Sequence, residues 1–469
     1  MRNLTLLTDF YELTMMNGYF LHGMEKKKAV FDLFFREGNI NFGVAAGLEQ
    51  AIDYIKNLHF AADDIAYLRE QKVFDERFLK ALSTFKFSGD IYAVREGEIV
   101  FPQEPLLTVV APIFEAQLIE TALLNIINHQ TLIATKSMII TQEANGAVME
   151  FGLRRAQGPD AGIYGTRASI IGGCVSTSNV LAGQMFDIKV SGTHAHSWVM
   201  SFPSEIDAFR AYAKTYPDNC LLLVDTYDSL KSGVPNAIKV FNELVAIGKK
   251  PVGIRLDSGD LAYLSKKARA MLDQAGHHNV KIFASGDIDE HVLASLKLQG
   301  AKIDVYGIGT KLITADPKPA LGGVYKLAAM EEGGVMVPKI KLSDTQIKTT
   351  NPGFKRVLRI YEEDGMAGAD LICLADETLD TTKPLTIFHP TETWKQMTFE
   401  KYTVRDITVK IFENGKCIYT PPTLKEVALY AKKSRAEFWE EYTRLLNPSD
   451  YKVDLSAKLH ALKTTLMKG

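Results

Sequence analysis

The sequence predicts an α/β fold centred on a parallel barrel, and three observations carry that prediction. From about residue 145 to 330, short strand-like runs alternate with amphipathic helices, most of them spaced by roughly 25 to 35 residues, one strand-plus-helix unit. Polar residues sit just after nearly every run, where barrel enzymes build their sites. The flanking stretches lack this rhythm. An open doubly wound sheet would share the repeat, but the polar run ends favour the barrel.

In chain order, Leu48 to Leu58 and Phe114 to Ile127 have helical spacing of apolar residues. Between them Gly89–Val94 and Glu98–Phe101 read as strands, followed by Pro102, Pro105 and Pro112. This first part is expected to be a small α/β sandwich over 1–135. The central domain, 136–360, carries the runs Val148–Phe151, Phe186–Val190, Leu221–Val224, Pro251–Ile254, Val280–Ala284 and Val305–Ile308. Leu261, Leu264, Ala268, Met271 and Leu272 share one helical face that Gly276 closes, and Ile288, Val292 and Leu296 form another stripe closed by Gly300. Over 361–469 the chain is less regular. Asp380 to Pro384 reads as a loop, and Ser434 to Leu446 as a helix with Phe438, Trp439, Tyr442 and Leu445 on its buried side.

Composition narrows the function classes. A chain of 469 residues, 46% hydrophobic and 23% charged, is ordinary for a folded protein and long enough for two or three domains. A net charge of −2 argues against nucleic acid held by bulk charge, yet leaves room for a local basic pocket. Cys174, Cys220, Cys373 and Cys417 are far apart with no CxxC pair, which points to free thiols in a reducing compartment. The first twelve residues hold Asp9 and Glu12 and no secretory pattern, and there is no run of 18 apolar residues for a membrane span. The expected location is the cytoplasm.

The strand ends carry the chemistry. Val148–Phe151 leads into Gly152-Leu153-Arg154-Arg155, where guanidinium forks can clamp a carboxylate or phosphate; the alternative is a pair of surface salt bridges. Phe186–Val190 leads into Thr193-His194-Ala195-His196-Ser197. Two histidines two apart on a strand point the same way, as in a metal pair, but later strands supply no further histidine ligands. A nucleophilic or phosphate-accepting histidine is the stronger reading, beside that of a hydrogen-bonded core histidine.

Leu221–Val224 ends at Asp225-Thr226-Tyr227-Asp228. Pro251–Ile254 ends at Arg255-Leu256-Asp257-Ser258-Gly259-Asp260, with Arg255 and Asp257 on one face. There an arginine can hold a ligand anion while a carboxylate meets ribose hydroxyls or Mg²⁺; one of Asp257 and Asp260 is expected merely to cap the next helix. Asp287 with Glu290 fits a capping-box-like start, whereas Ser285 and Gly286 are placed to donate hydrogen bonds to a phosphate. Tyr306-Gly307-Ile308-Gly309-Thr310 and Gly322-Gly323-Val324-Tyr325-Lys326 read as glycine-rich turns, the first placed late in the repeat where barrels bind phosphate.

Taken together, Leu7–Met15 (LTDFYELTM), Phe151–Gly158 (FGLRRAQG), Ser178–Gly183 (SNVLAG), Gly192–Ser197 (GTHAHS), Gly253–Asp260 (GIRLDSGD) and Gly307–Thr310 (GIGT) resemble the nicotinate phosphoribosyltransferase family, in the family's order. The resemblance implies an irregular TIM-like α/β barrel, an N-terminal sandwich domain and a C-terminal segment packing back on it, in a homodimer with sites at the interface. It implies the joining of nicotinate to 5-phosphoribosyl 1-diphosphate with Mg²⁺, ATP hydrolysis being coupled through a phosphohistidine. By motif, His196 would accept the phosphate. Thr193 and Arg255 would contact nicotinate, with Arg154 a second candidate for its carboxylate and Ser197 in the same substrate-binding motif. Tyr11 would stack on the pyridine ring, Gly309 and Thr310 would hold the 5-phosphate, and Asp257 would lie near the ribose or Mg²⁺. His194 is not expected to be required.

Overall fold

The computed structural model describes residues 2–36, 41–345, 348–392 and 394–468. Their contacts divide the chain into two compact units, 133–319 and the combination of 1–132 with 320–469.

The central unit holds six parallel strands, β1 (Ala147–Glu150), β2 (Ser176–Thr177), β3 (Leu221–Leu223), β4 (Gly253–Leu256), β5 (Lys281–Gly286) and β6 (Val305–Ile308), in the order β2-β1-β6-β5-β4-β3. Register aligns Glu150 with Ile308, Ile308 with Gly286, and Ala284 with Leu256, so the C-terminal strand ends share one rim. Met149, Leu221, Phe283 and Val305 form a buried cluster from four of these strands. Amphipathic helices such as Leu261–Gln274 follow the strands and bury one face, here Ala262, Ser265, Ala268 and Leu272. Parallel strands need such crossovers, which explains the repeat length.

Among the described residues no ladder closes β2 onto β3. The segment 189–194 stands between them, joined to β2 by a single parallel bridge, Thr177 to Val190. The expected strand Phe186–Val190 is therefore corrected. Asn179 caps a helix, Val180–Phe186, by accepting from the Ala182 N–H, and Asp187 ends it with a left-handed φ of 53°. The second strand is Ser176–Thr177, two residues with no alternation to reveal them.

In the other unit a seven-stranded sheet places Lys28–Phe35 between Leu107–Pro112 and Gly323–Glu332, all antiparallel. The Gly322-Gly323 segment is thus no phosphate turn: it opens a ten-residue strand that pairs with Phe35 onward. This pairing groups residues from 320 onward with the N-terminal residues in one contact unit. The C-terminal segment packs on the N-terminal residues, as expected, because Thr408–Glu413 pairs with Asp90–Val94.

A charge cluster ties the same regions together. Arg359 donates to Glu98 at 2.6 Å and to both oxygens of Asp370 at 2.9 and 2.7 Å, and all three side chains are fully buried. Glu98 also accepts from Arg405 and Ser434, and the arginine charges beside it hold its carboxyl down at about 2 against the cost of burial. Arg359→Met would leave Asp370 buried without its cation and Glu98 with Arg405 alone, so it is expected to destabilise by about 3–5 kcal/mol, read as urea unfolding at a lower midpoint.

The expected helix Ser434–Leu446 is also corrected. The helix is Leu424–Arg435, started by a Thr423–Glu426 capping box. Phe438 then turns inward against Phe101 and Tyr451. No helix of the described residues is long and apolar enough to cross a membrane.

Candidate active site

The rim of the central sheet encloses a cavity of about 670 Å³, a size typical of ligand pockets. Its walls are the strand ends, the turns that follow them and the segment 192–196.

After β1, Glu150 is fully buried, and its carboxylate accepts from Thr166 Oγ1 at 2.9 Å, Thr177 Oγ1 at 2.6 Å and the Gly152 N–H. This pins the turn Leu153–Arg155, so Arg154 and Arg155 line the cavity. The turn packs on the wall that follows β6, where a Cβ on Gly152 would lie 2.5 Å from Ile313 Cβ. Gly158 and Pro159 then open a helix, Pro159–Ile171, with proline at its first turn, where no N–H is missed.

After β6, Gly309 precedes Thr310, the first residue of a short helix, Thr310–Ile313. Both line the cavity beside Gly307. A Cβ on Gly309 would stand 2.9 Å from the Phe151 carbonyl oxygen, so the two turns approach at backbone distance. After β5, Ser285 and Gly286 line the same space, with Gly286 at φ +118°. The Ser285 hydroxyl donates to Asp257, so it steadies that carboxylate and is not free for a phosphate. Asp289 caps the following helix by accepting from the Val292 N–H at 2.8 Å, while Glu290 pairs with buried Lys136 at 2.6 Å; this replaces the expected Asp287–Glu290 box.

After β4, Arg255 and Asp257 both face the cavity, and Asp260 is the helix cap. Arg255 Nε is buried with no hydrogen-bond partner among the described residues. Burial pushes the guanidinium's proton affinity down; Asp257 and Asp225 pull it up, and the Arg154 charge adds to the fall. Cationic and acidic side chains therefore meet in one space, with an Arg255 N–H left over for a ligand.

His196 is the first residue of the helix His196–Met200. Its Nδ1 lies 3.1 Å from Thr226 Oγ1, and its Nε2 lies 4.0 Å from Asp225 and 3.9 Å from Asp257. Asp225 is the residue that sequence reasoning passed over: it was seen only as the end of a strand run. One of its oxygens accepts from the Asp257 N–H at 2.9 Å and Ser258 Oγ at 2.7 Å, and the other, which faces His196, is buried without a hydrogen-bond partner among the described residues.

Thr193 lines the cavity while its hydroxyl donates to the Leu221 carbonyl at 2.6 Å. His194 does not lie beside His196 on a strand as expected, since the segment there is not a strand; it is buried and points to β3. Ser197 is exposed on its helix and is not among the lining residues. Tyr11 lies in the other unit, on the helix Phe10–Leu21, at 46% exposure.

A parallel α/β sheet that gathers three arginines, paired aspartates, a histidine and two glycine turns at its strand ends has the layout of an α/β enzyme whose site lies at the C-terminal ends of its strands. Family models agree in detail: the nicotinate phosphoribosyltransferase N-terminal domain matches residues 6–128, the family model 147–365 and the C-terminal domain 354–463. The nicotinate phosphoribosyltransferase of Bacillus subtilis is 48% identical over 460 residues, spanning 97% of this chain and 93% of that one. The crystal structure of human nicotinic acid phosphoribosyltransferase superposes with a TM-score of 0.86 at 31% identity, covering 98% of this chain and 99% of that one. A nicotinate-nucleotide pyrophosphorylase from Pyrococcus furiosus shares the fold at a TM-score of 0.71 and 22% identity, over 93% of this chain and 96% of that one. The chain belongs to the nicotinate phosphoribosyltransferase family.

Proposed function

We propose that the chain joins nicotinate to 5-phosphoribosyl 1-diphosphate, giving nicotinate mononucleotide and diphosphate as the first step of NAD salvage from nicotinate. We infer further that it is an ATP-dependent ligase in which His196 accepts a phosphate. The observation that carries the reading is Arg255, a half-buried side chain whose buried Nε lacks a hydrogen-bond partner among the described residues and whose charge adds to that of Arg154. A carboxylate accepts from it and also neutralises its charge, whereas an amide offers only a neutral carbonyl oxygen.

Arg255 and Arg154 then hold the nicotinate carboxylate beside Thr193. Gly309 and Thr310, with Gly286, hold the 5-phosphate through backbone N–H groups. Transfer builds positive charge at the anomeric carbon and negative charge on the leaving diphosphate. The pyridine nitrogen carries a free lone pair, so no general base is needed; the site has to hold it in line.

Thr226 as acceptor of the His196 Nδ1–H leaves the lone pair on Nε2, the nitrogen facing the carboxylates. That pair forms the N–P bond as the bond from the γ-phosphorus to the ADP oxygen breaks, and water later releases the phosphate. Asp257 and Asp225 fit Mg²⁺: they are hard oxygen donors, and one Asp225 oxygen is buried without a hydrogen-bond partner among the described residues. When bound, Mg²⁺ neutralises charge on the departing diphosphate.

A cytoplasmic homodimer completes the reading. Val180, Leu181 and Met185 on one short helix are 69%, 49% and 49% exposed, an apolar face suited to a partner subunit. The test offers nicotinate or nicotinamide with 5-phosphoribosyl 1-diphosphate and Mg²⁺ and follows mononucleotide. Product from nicotinate is expected; product from nicotinamide alone, or none, overturns the proposal.

A further inference from the structure

The histidine pair in GTHAHS divides its labour, and the site described above uses only His196. His194 is 8% exposed, with its ring edge-on to Tyr212 at 4.7 Å between centroids. Its Nε2 accepts the Leu223 N–H of β3 at 3.2 Å. One residue earlier, Thr193 Oγ1 donates to the Leu221 carbonyl of the same strand at 2.6 Å. On the opposite side the segment meets β2 through the backbone: Thr177 N–H donates to Lys189 O at 3.1 Å, and Ser191 N–H to Thr177 O at 2.8 Å. The gap between the two edges of the sheet is thus bridged by a segment that uses main chain on one side and side chains on the other.

We propose that His194 is a positioning residue whose imidazole stands in for a strand carbonyl, fastening the segment 189–194 to β3 and so fixing Thr193 and His196 at the rim. The part concerning substrate rests on the phosphoribosyltransferase reading; the fastening does not. An imidazole can do this only as an acceptor, with its proton on Nδ1, which lies 3.4 Å from the Ala195 carbonyl. Burial pushes its pKa down to about 4, the Ala195 carbonyl opposes this, and the Arg255 and His196 charges assist it, so the ring is neutral at pH 7. The edge-on Tyr212 ring and Phe209 fill the space around it, so an aliphatic replacement keeps the packing but leaves the Leu223 N–H buried without an acceptor.

Amide hydrogen exchange on the full-length protein reads the fastening directly. In His194→Leu the Leu223 amide is expected to exchange about 10- to 100-fold faster than in the wild type, the cost of one unsatisfied buried donor. His194→Gln, whose Oε1 reaches the place of Nε2, is expected to restore protection. The kcat/KM for nicotinate should fall and recover in parallel, with thermal unfolding little changed between the two variants. Undiminished protection at Leu223 in His194→Leu, or equal loss in His194→Gln, overturns the proposal. Should His194→Leu fail to fold, the imidazole ¹⁵N shifts of the wild type decide: an unprotonated Nε2 at pH 7 supports it and a protonated one overturns it. Neither readout depends on turnover, so an inactive wild type would defeat the functional reading and leave this result standing.

Discussion

His196→Ala is expected to abolish the coupling of ATP to product while leaving a slow, ATP-independent transfer. The side chain itself forms the bond to phosphorus in the proposed cycle, so ADP formation should fall at least ~10³-fold, as when other covalent nucleophiles are removed. Of the residues assigned to nicotinate and to the 5-phosphate, Arg154 follows β1, Arg255 lies on β4, Gly286 ends β5, Gly309 and Thr310 follow β6, and Thr193 is held by its own bond to the Leu221 carbonyl, so they stay in place. Transfer therefore continues at a reduced rate. ADP and mononucleotide measured together in the variant check this. If the variant still released ADP in step with product, His196 would not be the phosphate acceptor.

Arg255→Gln should be nearly as damaging, in a different parameter. The substitution removes the half-buried cation that faces Asp257 and Asp225 and that is proposed to meet the substrate carboxylate. Loss of one partner of a buried, hydrogen-bonded charge pair costs about 2–5 kcal/mol, so kcat/KM for nicotinate should drop ~10²- to 10³-fold. Steady-state kinetics with both bases separates the causes. The loss should fall on nicotinate and hardly on the poor turnover of nicotinamide. Equal loss on the two would mean that Arg255 supports the site without reading the acid.

Much of this site was legible because each strand end announces itself. Arg255 and Asp257 stand two apart on an extended run, so one face had to carry both. The glycine turn after Val305–Ile308 was recognisable by its place late in the repeat. What the chain conceals is produced by neighbours in space. Asp225 gains its role because β3 lies beside β4, which brings its carboxylate under the Asp257 N–H, and nothing near residue 225 encodes that register.

The stretch Phe186–Val190 alternates like a strand, yet Asn179 caps a helix that consumes Phe186, and tertiary placement leaves the remainder with a single bridge. Trp439 and Tyr442 likewise suggested a helical stripe, whereas the burial of Phe438 against Phe101 and Tyr451 breaks it. Two apolar residues at helical spacing cannot distinguish one long helix from a helix end, a break and the four-residue helix Glu440–Thr443 that carries Tyr442.

The most direct test of the account counts nicotinate mononucleotide and ADP in one incubation of the wild-type protein with nicotinate, 5-phosphoribosyl 1-diphosphate, Mg²⁺ and ATP, beside a matched incubation with nicotinamide. The account predicts both products with nicotinate and neither in quantity with nicotinamide. Mononucleotide from nicotinamide, or ADP released without mononucleotide, would contradict it.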